Sequence, residues 1–466
     1  MKNKTFSVMH VGLISLLVLL IIITIHLVIL KKIVFFPYPE LFIYSYLTDA
    51  GLTPYKQIFD QHFPGIMMLP VNFTSLGIDN PGASRILHLA IVALNQVLLF
   101  LIAKKLTKSN FYSLVTNLLY LIWQPFFEGY VLWIDLMVVP LLLLGYLLLL
   151  EDKRIKYFLS GFTFGAAILF KQIVIPIVGV VVIYMYFFLK KKTKLRAFLF
   201  GIAIPIIILG IWVLKSGILK EFVYWTLTFN LTIFAQMGRK FPSLGNLIQT
   251  APVFGLALIS LMYILYKTRL KVVIYLSLIF VGSLMFAYAR FDYVHLQPAL
   301  PFALLTITMF FREFSRPLQV FMLSGFILIS VISFNNFFRL HIGNRIMFFG
   351  EFEVNLSEKV LSYANKGDSI FIMGTTPHIY QMTETIPSGR VFAFQFPWFM
   401  VAAEEKIYEG VISDPPKVVL RDAKAAVQGM NIVSYMPKID SYVRLNYKTI
   451  EKVGDVEIMI SNDSKK

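Results

Sequence analysis

The chain has 466 residues, of which 58% are apolar and 15% charged, and a mean hydropathy of +0.73; that is too apolar for a water-soluble protein of this length and points to a polytopic membrane protein. It contains no cysteine, which excludes disulfides and thiolate metal sites. The net charge of +17 could suggest nucleic acid, but residues 1–334 hold 28 basic and 11 acidic residues while 335–466 hold 15 of each, so the excess belongs to the membrane part.

Eleven apolar windows follow in order, near 8–30, 85–103, 109–125, 131–150, 157–170, 173–189, 197–214, 249–266, 272–288, 296–311 and 318–334. Roughly 17 to 23 apolar residues cross about 30 Å of hydrocarbon as a helix, so the pattern predicts about eleven transmembrane helices, the windows at 109–125, 157–170 and 296–311 being the shortest. The first window exceeds a signal-peptide core and no small-residue cleavage pattern follows, so it is expected to stay as an anchor. Basic residues gather at alternate connections: Lys2 and Lys4, then Lys104, Lys105 and Lys108, Lys153, Arg154 and Lys156, the run KKKTKLR at 190–196, Lys267, Arg269 and Lys271, and Arg312 and Arg316. This positive-inside pattern places the N-terminus in the cytoplasm of a cell-membrane protein. Residues 38–65, 215–248, 290–295 and everything after 334 then lie outside. The 190–196 run reads as a topology signal rather than a site for nucleic acid or anionic lipid.

After residue 334 the apolar windows give way to strand signals at 369–374, 390–395, 417–420 and 456–461, with helical stretches at 377–384 and 399–410 between them. These predict a small extracytoplasmic α/β domain over 335–466, beside a membrane domain over 1–334 whose first outer loop is 31–84. The GDSIFIMGTT stretch lacks the full G-x-G-x-x-G fingerprint of a dinucleotide site.

Ionisable residues concentrate on the outer connections. The loop YPELFIYSYLTDAGLTPYKQIFDQHFPG at 38–65 carries Glu40, Asp49, Asp60 and His62, and further along stand Glu128, Asp135, Lys171, Arg290 and His295. A carboxylate in an exposed loop is ordinarily just solvated. Asp135 and Lys171 differ, because a charge within an apolar window costs about 2.5 to 3.5 kcal/mol on insertion scales unless it is paired, wet or snorkelling. A carboxylate to take a proton and cations to hold a departing phosphate are what transfer of a sugar from a lipid phosphate requires. Aromatics close by include Tyr55 and Tyr293.

Together these features resemble the GT-C membrane glycosyltransferases, in the branch of the protein O-mannosyltransferases and the aminoarabinose transferase that modifies lipid A. The resemblance rests on Glu40, Gly51, Pro54-Tyr55, Asp60, His62 and Pro64-Gly65, on YVLWIDLMVVP around Asp135, on GFTFGAAILFKQ ending at Lys171-Gln172, on ARFDYVHLQPALP, and on KGDSIFIMGTTPHIY and DPPKVVL in the C-terminal part. It implies transfer of a hexosyl or pentosyl group from a polyprenyl-phosphate sugar to an acceptor protein, lipid or glycan, by inverting displacement. Glu40 or Asp60 would be the base; Lys171, Arg290, His295 and His62 would bind the donor phosphate; Asp135, Glu128, Tyr55 and Tyr293 would line the cavity. No cofactor is implied, and the spacing of acids and His62 matches no compact metal motif. The chain departs from the branch in having Pro39 where an acid often precedes Glu40, Gln57 for an acid, and His62 for a lysine, which ties phosphate holding to protonation of a ring. Asp49 matches nothing and is expected to be solvated. A transporter or flippase of a lipid-linked or sugar substrate is the alternative, against which stands the absence of paired broken helices in two halves.

Overall fold

The computed structural model describes residues 2–268 and 270–463, and of residues 2–11 only the helical backbone. Arg269 lies outside the described residues, as do the side chains of Lys2 and Lys4. The chain clusters into two units. One comprises Met1–Phe36, Arg85–Leu209 and Lys240–Arg345; the other comprises Pro37–Ser84, Gly210–Arg239 and Ile346–Lys466.

Among the described residues every one of the eleven apolar windows is helical: Lys2–Lys32, Pro81–Thr107, Asn110–Gln124, Ile134–Leu149, Arg154–Phe170, Val174–Leu189, Lys192–Lys215, Leu244–Lys267, Lys271–Ala289, Leu300–Arg312 and Arg316–His341. Six of them, beginning at Gly12, Pro81, Lys192, Leu244, Lys271 and Arg316, are long and apolar enough to cross a membrane. The shorter helices Ile134–Leu149 and Leu300–Arg312 are buried along most of their length. A helix apolar all round is an interior helix, as these two are.

The first unit brings the basic connections together. Asp152 pairs with Lys191 at 3.0 Å, Lys194 at 2.5 Å and Lys271 at 2.9 Å, Lys105 with Glu151 at 2.6 Å, and Lys267 with Glu313 at 2.5 Å. These pairs are largely solvent-exposed and contribute at most about 1 kcal/mol each, but they fix which connections share one end. Helix Arg154–Phe170 crosses Lys192–Lys215 through glycine: a Cβ on Gly161 would meet the Phe198 carbonyl oxygen at 2.0 Å, and one on Gly201 the Phe158 carbonyl oxygen at 2.1 Å. Such backbone approach is the usual small-residue solution in lipid, where burying apolar surface gives no drive.

In the second unit, Ser369–Met373 pairs in parallel with Val418–Arg421 and with Ile386–Pro387. Val456–Ser461 adds antiparallel to Val418–Arg421, and Tyr447–Val453 closes the five-stranded sheet. Helix Pro397–Ser413 supplies the crossover that parallel strands need. The 390–395 segment, read as a strand, contributes Phe392–Ala393 to a parallel pair with Ile58–Phe59, separate from this sheet. The loop at 38–65 also differs from its reading: Pro39–Asp49 is a helix with Pro39 in its first turn, where a missing N–H costs nothing and a fixed φ is pre-set.

Candidate active site

Two clusters of ionisable side chains stand out, one in each unit. In the second unit, helix Pro39–Asp49 puts Glu40 and Tyr44 one turn apart on one face. The Tyr44 hydroxyl donates to Asp60 Oδ1 at 3.2 Å, the His62 backbone N–H donates to Asp60 Oδ2 at 2.9 Å, and His62 Nδ1 lies 3.2 Å from both oxygens. Tyr55, at φ +63°, is fully buried and its hydroxyl donates to the His62 carbonyl at 2.8 Å. Asp60 is 2% exposed, and pairing of Ile58–Phe59 with Phe392–Ala393 fixes the backbone just before it.

Glu40 is treated differently from Asp60. It is 8% exposed, and among the described residues its Oε2 has no hydrogen-bond partner. Burial pushes its carboxyl up to about 8; its own backbone amide opposes this, and the nearby charge of Asp60 adds to it. Glu40 lines a cavity of about 420 Å³ together with Phe371, Thr376, Tyr380, Phe392 and Phe394. Asp49 is exposed and accepts from Asn72 Nδ2 at 2.9 Å.

In the first unit, Asp135 opens helix Ile134–Leu149 and is fully buried. Lys171, just past the end of Arg154–Phe170, places Nζ 2.7 Å from Asp135 Oδ2 and 5.3 Å from the centre of the Phe286 ring. His295 Nδ1 lies 3.0 Å from Asp135 Oδ1 and 3.4 Å from Lys171 Nζ. Burial holds His295 below the ordinary imidazole value, against the pull of Asp135. Asp135 is thus the partner that lets the Lys171 charge be held inside the protein, and it accepts from the His295 ring beside it.

Glu128 sits beside this cluster in sequence and in space. It adopts φ +56° in the turn that ends at Gly129, and it accepts from the Val294 N–H at 2.9 Å. Burial raises its carboxyl, the Val294 amide opposing. The Gly129 carbonyl is held by Gln124 Nε2 at 2.8 Å and His88 Nε2 at 2.7 Å. A left-handed non-glycine residue so tightly held is the kind of strain found at functional sites. Arg290 Nε donates to Asp292 at 3.0 Å, and Asp292 also pairs with Lys240 at 2.7 Å. The Tyr293 hydroxyl accepts from Asn246 Nδ2 at 2.9 Å and donates to Gln249.

The structure therefore joins Glu40, Asp60, His62 and Tyr55 in one cluster, and Asp135, Lys171, His295 and Glu128 in another, with Arg290 and Tyr293 on the same short connection as His295. Sequence reasoning missed Tyr44, Thr376 and the Asp292–Lys240 pair. Tyr44 was findable, since a helix starting at Pro39 puts it one turn beyond Glu40. Among the described residues no group of three or more His, Asp or Glu is placed to hold a metal ion.

No protein-family profile matches the chain, and no curated protein does. Solved structures do. The chain is similar to ArnT from Cupriavidus metallidurans bound to undecaprenyl phosphate, with a TM-score of 0.64 and 11% identity over 96% of this chain and 98% of the other. It is also similar to the oligosaccharyltransferase AglB from Archaeoglobus fulgidus in complex with an inhibitory peptide and a dolichol-phosphate, with a TM-score of 0.56 and 10% identity over 97% and 75%. At such identities the likeness carries the fold: this chain has the GT-C architecture, a polytopic helical membrane protein with a C-terminal α/β part.

Proposed function

We propose that the chain is a glycosyltransferase of the outer face of the cell membrane, its N-terminus cytoplasmic, moving a hexosyl or pentosyl group from a polyprenyl-phosphate carrier to an acceptor hydroxyl. The acceptor oxygen forms a bond to the anomeric carbon as the bond from that carbon to the phosphate oxygen breaks. The acceptor proton passes to a carboxylate, the electron pair leaves with the polyprenyl phosphate, and the configuration inverts.

Glu40 is the base. The observation that supports this is that Glu40 lines a cavity while its Oε2 has no hydrogen-bond partner among the described residues, whereas both oxygens of Asp60 are engaged by Tyr44 and His62. A carboxyl titrating near 8 is also well matched to proton transfer close to neutral pH. Asp60 positions Tyr44 and His62 around it. Lys171 and His295, held on Asp135, and Arg290, beside Asp292, meet the phosphate charge that develops on the leaving group, the arginine by a fork and the lysine as a point charge. Glu128 and Tyr293 hold the 293–296 turn that carries His295.

The test is turnover of a radiolabelled polyprenyl-phosphate sugar by the purified protein in liposomes. Release of polyprenyl phosphate that is lost in Glu40→Gln supports the assignment of base. Normal turnover in that variant removes Glu40 from the role, and label that crosses the bilayer with its phosphate bond intact makes the protein a flippase.

A further inference from the structure

The cavity beside Glu40 has a second feature that the transfer reaction does not by itself require. Its walls are the aromatic rings of Phe371, Tyr380, Phe392, Phe394 and Phe396, and no Lys, Arg or His is among its described lining residues. Two of its lining residues, Glu40 and Thr376, each carry a buried oxygen without a hydrogen-bond partner among the described residues, Oε2 and Oγ1. Thr376 lies two residues after Gly374, whose φ of +79° turns the chain at the end of the strand Ser369–Met373. The rim there is fixed: Gln395 Oε1 accepts from the Gly374 N–H at 2.9 Å, and the Tyr435 hydroxyl donates to the Gln395 carbonyl at 2.8 Å.

Buried polar atoms are nearly always satisfied, so two unmatched oxygens on residues that line one cavity point to polar groups that a ligand would bring. An anionic ligand would bring its charge beside a carboxyl with no cation to pair with it, at a heavy desolvation cost. Aromatic faces with a few fixed oxygens suit a ring that is apolar on its faces and hydroxylated at its edge. At about 420 Å³ the space falls within the roughly 300–1,000 Å³ usual for small-molecule pockets.

We infer that this cavity is the acceptor subsite and that it takes an uncharged, hydroxyl-bearing group of the hexose type, with Glu40 and Thr376 receiving its hydroxyls and the Phe371–Phe396 aromatics its ring. The inference rests on the transferase reading, and it specifies an acceptor that is neutral where it enters the protein. Anionic acceptor groups such as phosphorylated sugars are refused at this position.

The full-length protein in nanodiscs is titrated with p-nitrophenyl β-D-glucopyranoside, p-nitrophenyl phosphate and p-nitrobenzyltrimethylammonium, and binding is read by saturation-transfer NMR. The neutral glycoside is expected to bind saturably and p-nitrophenyl phosphate at least tenfold more weakly, while ammonium-probe binding as strong as the glycoside's would make the pocket a cation site. Thr376→Val should weaken the glycoside about fivefold, as for one hydrogen bond between uncharged groups. Val427→Trp, which fills the cavity from a residue in the two-residue strand Ala426–Val427, should abolish its binding. Equal binding of either charged probe, or glycoside binding indifferent to Val427→Trp, overturns the inference. Donor cleavage is followed in parallel. A protein that binds the glycoside here yet never releases polyprenyl phosphate keeps the pocket and loses the transferase reading; one that releases polyprenyl phosphate with turnover unchanged by Val427→Trp loses the acceptor assignment.

Discussion

Replacing Glu40 by Gln separates its chemical from its structural contribution, because the two depend on pH in opposite ways. With the carboxyl pushed up to about 8, only about one molecule in ten carries the ionised base at pH 7, and about one in a hundred at pH 6. The wild-type rate should therefore rise about tenfold per pH unit up to roughly pH 8 and then level. A positioned base contributes roughly 10²- to 10⁴-fold, so Glu40→Gln should lose that much at pH 8 and above, and the gap should shrink about a hundredfold by pH 6. Stability moves the other way. A carboxyl whose folded value lies above its unfolded value of 4.5 gives stability that is complete below that pH and is lost as pH rises through about 8. The difference is on the order of 4 kcal/mol, and Gln does not incur it. Glu40→Gln should then melt at a higher temperature than the wild type at pH 9 while matching it near pH 4, read by tryptophan fluorescence on the detergent-solubilised protein. A flat rate between pH 6 and 9, or a variant that melts below the wild type at pH 9, would refute the reasoning.

Other consequences can be checked with the same two assays. Asp135→Asn leaves Lys171 buried without its partner 2.7 Å away and should cost roughly 3 to 5 kcal/mol, most of which Lys171→Met in the same chain should restore, since removing both charges avoids the unpaired one. Gly161→Val drives a side chain into the Phe198 backbone and should lower the melting temperature more than Gly179→Val, where a Cβ meets nothing within 4 Å. Gly129→Ala places a methyl 2.1 Å from both the Gln124 carbonyl oxygen and its Nε2; overpacking of this kind costs typically 1 to 3 kcal/mol, and it should reduce turnover beyond what that loss explains because it moves Glu128.

The membrane part was legible because apolar windows report helices directly, and each became one. What hydropathy could not report is which helices are interior: Leu300–Arg312 is buried along most of its length, and that is a tertiary fact. The pairing of Lys171 with Asp135 was half visible, since two opposite charges in apolar windows call for each other, yet nothing in the spacing picked His295 as the third member. The loop at 38–65 was read as a loop because helix Pro39–Asp49 is only 11 residues long, short beside the membrane windows that flank it. That Phe392–Ala393 pairs outside the main sheet was not legible, because strand signals do not name their partner and a two-residue pairing with Ile58–Phe59 has no sequence signature. The Glu40 cavity stayed invisible for the same reason, its walls being drawn from segments far apart in the chain.

That separation bears on how the protein is made. Tyr46 donates to the Thr385 carbonyl 339 positions away, and Arg390 reaches back to the Ala50 carbonyl across 340. A ribosome has therefore finished every apolar helix before the partners of the 38–65 segment exist, and contacts of such sequence separation form slowly. During that interval the 38–65 segment lacks the Tyr46–Thr385 and Arg390–Ala50 contacts that hold it. Biogenesis itself thus delays the folding of this segment until the C-terminal strands arrive, and a nascent chain arrested before residue 385 should hold its apolar helices with the 38–65 segment still unsettled.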